Sequence, residues 1–146
     1  MNPIVFAALL QFIRGFRGAG VQIMNGDNVL LVQNLGSGNW GFPKGHREAF
    51  DRTWRETAIR EVEEETGLIE NKHYVVCSDE PDLWGRRPYW TATAIEMGPL
   101  RINTSEHRAV EWVPISMLSM YQKNYDVSDW HAQGSRVKCS TIILKQ

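Results

Sequence analysis

A chain of 146 residues, 42% hydrophobic and 23% charged, has the size and composition of one soluble domain, residues 1–146, with enough apolar residues for one core. A formal net charge of −1 excludes a global field that would draw the protein onto nucleic acid or an anionic membrane, so contact with a polyanion must come from a local patch. Cys77 and Cys139 are far apart in sequence and form neither a CxxC nor a zinc-like spacing; they predict reduced thiols, no disulfide-linked partner and a cytoplasmic location.

The chain begins with the apolar run "IVFAALLQFI", which is too short to span a bilayer and lacks both a basic flank and an A-x-A cleavage site. It predicts a strand or helix packed on the core, and no membrane partner. "GVQIM" and "NVLLVQ" are β-branched-rich runs joined by "NGD", a hairpin signal. "LGSGNWGFPKGH" follows as a glycine-dense loop. A helix is predicted from about Thr53 to Thr66. Thr53 and Glu56 have the spacing of a capping box, Gly67 suits the position just past the helix end, and Trp54, Ala58, Ile59 and Val62 supply an apolar stripe. "HYVVCS", "YWTATAIEM" and "AVEWVP" read as strands, "ISMLSMYQK" as a short helix after Pro114, and the tail "VKCSTIILK" as either. Strands outnumber helices and the long helix lies between strands. The fold class is therefore α/β, an α/β/α sandwich with a mixed sheet, or else α+β.

The end of the long helix carries the chemistry. At about 100° per residue, Glu61, Glu64 and Glu65 fall within one arc of roughly 100°. Glu61 and Glu65 are one turn apart and repel, and the helix C-terminus already carries the negative end of the macrodipole. A bound cation relieves both conflicts. Mg²⁺ fits best, because it takes a few carboxylates and leaves positions for phosphate oxygens, with Mn²⁺ as a substitute. The bland alternative is a solvated acidic face.

Upstream of these acids stands "PKGH", and "REVEEETGL" follows. In these residues the sequence resembles the Nudix hydrolase family, whose signature places an arginine-glutamate pair, a paired glutamate and a glycine at these spacings. The first half departs from the pattern: Asp51 stands where the family has glutamate, and eight residues rather than seven separate it from Arg60. The resemblance implies a Nudix-type α/β/α sandwich with a central mixed sheet and a loop–helix–loop metal site. It implies that Glu61, Glu64 and Glu65 hold one or more Mg²⁺ ions, joined by the Gly45 carbonyl. Arg60 then orients a motif glutamate, most simply Glu64 at i+4, while Glu63 faces solvent. Glu106, in "TSEHRAVEWV", is a further base or metal ligand by the same resemblance. The implied activity is hydrolysis of a phosphoanhydride bond, with the divalent ion neutralising phosphate charge and acidifying a bound water.

Substrate contacts are expected in two places. Lys44 and His46 lie in "GFPKGH", and Trp84, Arg86, Arg87 and Tyr89 lie in "LWGRRPYW", where bases stack on rings and phosphates meet guanidinium groups. Trp84 and Tyr89 are the expected stackers, and Trp90 the expected core residue. "PKGH" resembles dinucleoside tetraphosphate hydrolases and "WGFPKG" the messenger-RNA decapping branch. The expected partner is therefore a nucleotide polyphosphate, with diadenosine tetraphosphate ahead of a capped RNA because no long basic RNA-tracking surface is evident. A non-catalytic nucleotide-binding module and a plain interaction domain are the competing classes.

Overall fold

The computed structural model describes Pro3 and residues 15–133; the apolar N-terminal run and the tail "VKCSTIILK" lie outside the described residues. The predicted hairpin forms from β1 (Ala19–Asn25) and β2 (Asn28–Asn34), with Asn25 facing Asn28 and Gly26 at φ +59. A II′ turn requires that positive φ at its first central residue, and glycine supplies it without a Cβ penalty. Side chains along these strands alternate between two covered faces. Val21, Ile23 and Leu30 enter one apolar cluster, while Met24, Val29 and Leu31 enter another.

Short strands β3 (Trp40–Gly41) and β4 (Lys44–Gly45) interrupt what the sequence presents as one loop. After the long helix α1 (Trp54–Thr66) come β5 (Tyr74–Val76), β6 (Asp82–Trp84), β7 (Arg87–Ala94) and β8 (His107–Pro114). β1 and β7 run parallel, from Gly20 opposite Tyr89 to Met24 opposite Thr93, whereas the other strand pairs are antiparallel. The sheet is mixed, as expected. The "YWTATAIEM" strand starts earlier and stops at Ala94, and "ISMLSMYQK" gives a 3₁₀ helix over Ile115–Met120 only.

Helix α1 covers one face. Its Trp54, Ala58 and Val62 pack with Val21, Ile23, Leu30 and Trp90, so the core placement of Trp90 holds. Each fully buried Val or Leu there contributes about 1.5–3 kcal/mol relative to exposure. A second helix, α2 (Tyr125–Ala132), covers the other face through Val127 and Trp130, against Phe42, Tyr89 and Leu118. The result is the expected α/β/α sandwich. α2 has no counterpart among the elements expected from the sequence, although Asn124 caps it by accepting from the Val127 N–H at 3.0 Å.

The ends of α1 follow from local chemistry. Thr53 Oγ1 accepts from the Glu56 N–H at 3.1 Å. The return bond of the predicted capping box lands one residue early, because Glu56 Oε2 accepts from the Arg52 N–H at 2.7 Å. Gly67 closes the helix at φ +80, its N–H donating to the Glu63 carbonyl at 2.9 Å.

The thiol expectation needs correction. Cys77 is disulfide-bonded rather than reduced, and Cys139 lies outside the described residues. Among the described residues no helix is long and apolar enough to cross a membrane.

Candidate active site

Strand β4 places the loop before α1 directly over the acidic helix end. It pairs with the start of β1, Ala19 opposite Gly45 and Gly20 opposite Lys44, and the Lys44 N–H donates to Glu65 Oε2 at 3.1 Å. Gly45 is required by close approach: a Cβ there would stand 2.0 Å from the Cδ of Glu61. The glycine thus opens the space that the Glu61 carboxylate fills.

Arg60 gathers the acids around it. Its Nε donates to Asp51 Oδ1 at 3.1 Å and its Nη2 to Asp51 Oδ2 at 2.7 Å, a two-point bridge. Nη1 reaches Glu61 Oε1 at 3.0 Å and both Glu64 oxygens at 3.1 Å, while Nη2 also bonds the His46 carbonyl at 2.9 Å. The Phe50 ring lies 5.3 Å from the guanidinium carbon. Asp51 also accepts from the Glu48 N–H and the Thr57 hydroxyl, each at 2.9 Å. The Arg60 hydrogen bonds pull its carboxyl down to about 2. The shorter acid at the altered spacing therefore still reaches the arginine.

A cavity of about 550 Å³ opens above this helix end, lined by Lys44, Gly45, His46, Glu61, Glu64, Glu65, Glu106 and His107 among others. Glu61, Glu64 and Glu65 all line this cavity and fall into two groupings within it. Arg60 holds Glu61 and Glu64, whereas Glu65 groups with Glu106 and His107, whose ligand atoms all lie within 4.8 Å of one another. Glu65 is 4% exposed. Burial pushes its carboxyl up to about 8, against the opposing pull of Lys44 and with Glu61 and Glu106 adding to the rise. Burial also raises Glu61, with Arg60 opposing. Glu63 is exposed, as expected. Buried carboxylates without enough counter-charge are costly, and a hard divalent cation is the partner that oxygen donors of this kind accept. The residues present therefore fit such an ion.

A second cavity, about 260 Å³, shares Asn34, Lys44 and His107 with the first and continues along Phe42, Arg87, Asn124, Tyr125 and Asp126. Here the expected stackers are corrected. Tyr89 is 1% exposed and its hydroxyl donates to Asp126, and Trp84 is buried in the second apolar cluster, so neither offers a ring face to a base. Pairing fixes which face each strand residue takes, and the basic-aromatic composition of "LWGRRPYW" does not encode it. Arg87 lines this cavity but is engaged by Asp126, Nη1 to Oδ2 at 3.2 Å. Arg86 is exposed at φ +65 in the turn between β6 and β7 and lines neither cavity. The exposed aromatic at this site is Tyr125, at the first position of α2. Asn124 followed by Val127 and Trp130 is the cap-and-stripe signal that would have revealed it.

Fold and site together define an α/β protein whose long helix ends in a cation-ready acidic cavity beside a second, polar one. Residues 15–132 match the NUDIX domain family model, and the chain belongs to that family. Among curated proteins, the 111R protein of Invertebrate iridescent virus 3, which carries the name of a hydrolase, is 50% identical over 52 residues. That match covers 36% of this chain and 30% of the viral protein, so the chain aligns with about a third of that relative's length. Among solved structures, the Ap4A hydrolase of C. elegans superposes with a TM-score of 0.67 at 21% identity, covering 81% of this chain and 93% of that one. The NUDIX domain of NrtR from Shewanella oneidensis, complexed with ADP ribose, gives 0.63 at 18%, covering 92% of each chain. The MutT protein of Bacillus halodurans gives 0.60 at 21%, covering 84% of each. At these identities the structures speak for the fold.

Proposed function

We propose that this protein is a Mg²⁺-dependent pyrophosphohydrolase that cuts a phosphoanhydride bond in a nucleoside polyphosphate, with a dinucleoside polyphosphate such as diadenosine tetraphosphate as its substrate. The observation that carries this reading is the pair of abutting cavities. One is walled by carboxylates, the other has an exposed tyrosine at its rim, and Lys44 lines both. A polyphosphate laid across Lys44 has its scissile bond over the acids and a nucleoside at Tyr125, where stacking on a ring contributes about 1–3 kcal/mol. One structural relative is named for Ap4A, which makes that dinucleotide the first substrate to test.

Glu61, Glu64, Glu65 and the Gly45 carbonyl would hold the ion in this reading, with Glu106 at the rim of the same cavity. A bound divalent cation supplies charge neutralisation at the phosphate oxygens and a more acidic water. The chain's own residues do the rest. Arg60 fixes the orientation of Glu61 and Glu64 and is itself anchored by Asp51. Lys44 offsets charge along the phosphate chain. An oxygen–phosphorus bond forms from water as the bridging bond to the departing phosphate breaks. Glu64, half exposed, is the carboxylate through which the water's proton leaves to solvent.

The test is product analysis with Mg²⁺ and, in parallel, diadenosine tetraphosphate and a methylguanosine-capped RNA, with Glu65→Gln as control. Adenosine mono- and triphosphate, absent with the variant, are the expected products. Release of methylguanosine diphosphate alone would replace this substrate with the cap. Binding without turnover, indifferent to metal, would make the protein a binding module.

A further inference from the structure

We infer that His107 is a nitrogen ligand of the divalent ion, so that this cavity is a mixed imidazole–carboxylate site that binds first-row transition metals such as Mn²⁺ more tightly than the Mg²⁺ on which the proposed reaction runs. The inference rests on the cation site proposed above and adds to it a residue that the helix motif does not contain.

His107 opens β8, and its side chain is 8% exposed. Its Nδ1 is sealed from solvent and has no hydrogen-bond partner, so Nε2 is the nitrogen that can meet a ligand in the cavity. Its Nε2 stands 3.9 Å from Glu65 Oε1, beyond hydrogen-bond reach. Metal–ligand bonds of roughly 2.0–2.2 Å put two donors of one ion about 3–4 Å apart, the separation found here. Glu106 completes the group, its ligand atom within 4.8 Å of the other two.

The backbone places the imidazole there. β2 and β8 stay in register from Asn28 opposite Pro114 to Gln33 opposite Ala109, and then Asn34 pairs with His107 rather than Arg108. The extra residue is a bulge, a device that re-aims side chains beside functional sites. Arg108 goes to the exterior, where its Nε donates to the Leu35 carbonyl at 2.9 Å, and His107 goes to the interior. The Leu35 N–H in turn holds the Glu106 carbonyl at 2.8 Å. Mg²⁺ takes oxygen donors almost by preference, whereas imidazole favours the later, softer divalent ions. A buried imidazole beside two carboxylates therefore shifts selectivity away from Mg²⁺.

The experiment loads the metal-free protein with Mn²⁺ and records pulsed electron paramagnetic resonance, with affinities for Mn²⁺ and Mg²⁺ measured by calorimetry. His46 lines the same cavity, so His46→Gln and His107→Gln are compared with the unaltered chain. The expected result is directly coordinated imidazole nitrogen modulation in the unaltered protein and in His46→Gln. That signal disappears in His107→Gln, whose Mn²⁺ affinity falls at least tenfold while its Mg²⁺ affinity changes less than threefold. Mn²⁺ bound without nitrogen modulation, or modulation surviving in His107→Gln, overturns the inference and leaves the cation site standing. No Mn²⁺ or Mg²⁺ binding at all overturns both. Should His107→Gln fail to fold, the unaltered protein and His46→Gln still decide, since loss of the signal in His46→Gln would assign it to the wrong histidine.

Discussion

Replacing Asp51 with asparagine tests whether the arginine hub depends on this residue. The substitution keeps the shape but removes the charge and one of the two acceptors that meet Arg60 Nε and Nη2. The native carboxyl lies at about 2 against an ordinary 3.8. By linkage, that fall corresponds to at most about 2.4 kcal/mol at neutral pH. The guanidinium is 17% exposed, so solvent screening reduces the expected loss to ~1–2 kcal/mol. A lowered pKa gives stability that is present above the unfolded value of 3.8 and lost as pH falls towards 2. About half should therefore remain at pH 3. The assay is urea denaturation of both proteins in metal-free buffer at pH 7, 5, 4 and 3. The gap between them should be constant at pH 5 and 7 and narrow below 4. No gap at pH 7, or one undiminished at pH 3, would refute the reasoning. With Mg²⁺ present, turnover should fall about ten- to hundredfold, as expected when a residue orienting the ligands is lost.

Three further outcomes follow from the same geometry. Gly45→Ala places a methyl against the Glu61 carboxylate and should cost ~1–3 kcal/mol in urea denaturation and at least tenfold in Mg²⁺-dependent turnover. Wild-type turnover in that variant would show that Glu61 need not sit there. Glu65 titrates near 8 rather than 4.5, so the metal-free protein should lose stability as pH rises through that interval. Glu65→Gln should flatten the profile, matching wild type near pH 4.5 and exceeding it at pH 8.5 by on the order of 1 kcal/mol or more; parallel profiles would contradict the assignment. Tyr125 is 83% exposed, so Tyr125→Ala should leave the thermal midpoint unchanged. Loss of a stacked base should raise KM for diadenosine tetraphosphate about 5- to 150-fold, and an unmoved KM would place the nucleoside elsewhere.

What was legible in the sequence was what is local. Thr53, Glu56 and Gly67 act within one turn of the helix they bound, and "REVEEETGL" carries its acids on the helix that displays them. The hairpin at Gly26 is equally local. What escaped depends on partners distant in sequence. Tyr89 and Trp84 look like a nucleotide platform until Gly20 pairs with Tyr89 and Asp126 receives its hydroxyl, and until Trp84 enters the second apolar cluster. Helix α2 is short, and its stripe rests on Val127 and Trp130 alone. His107 carries no signal of its own in the sequence beside Glu106, because its inward direction comes from a bulge set by β2. Asp51 shows the converse: the sequence pattern was irregular, yet the bridge to Arg60 formed, since a two-point ion pair tolerates a change in chain length that a consensus spacing does not.

The crowding of glutamates at the end of α1 follows from how the two nearby cationic groups are shared. Arg60 is divided among Asp51, Glu61 and Glu64, and a guanidinium so engaged has little charge left for Glu65. Lys44 contributes a backbone bond and partial compensation to Glu65, yet burial still carries that carboxyl to about 8. Without a further cation, then, the helix end holds a proton at neutral pH. Packing such as that of Val62 and Trp54 stabilises the helix regardless of this deficit, so stability alone does not account for Glu65 being an acid. A buried acid grouped with another carboxylate and an imidazole is the arrangement that the ion proposed above would satisfy. Removing the acid should accordingly help the empty protein and disable the loaded one.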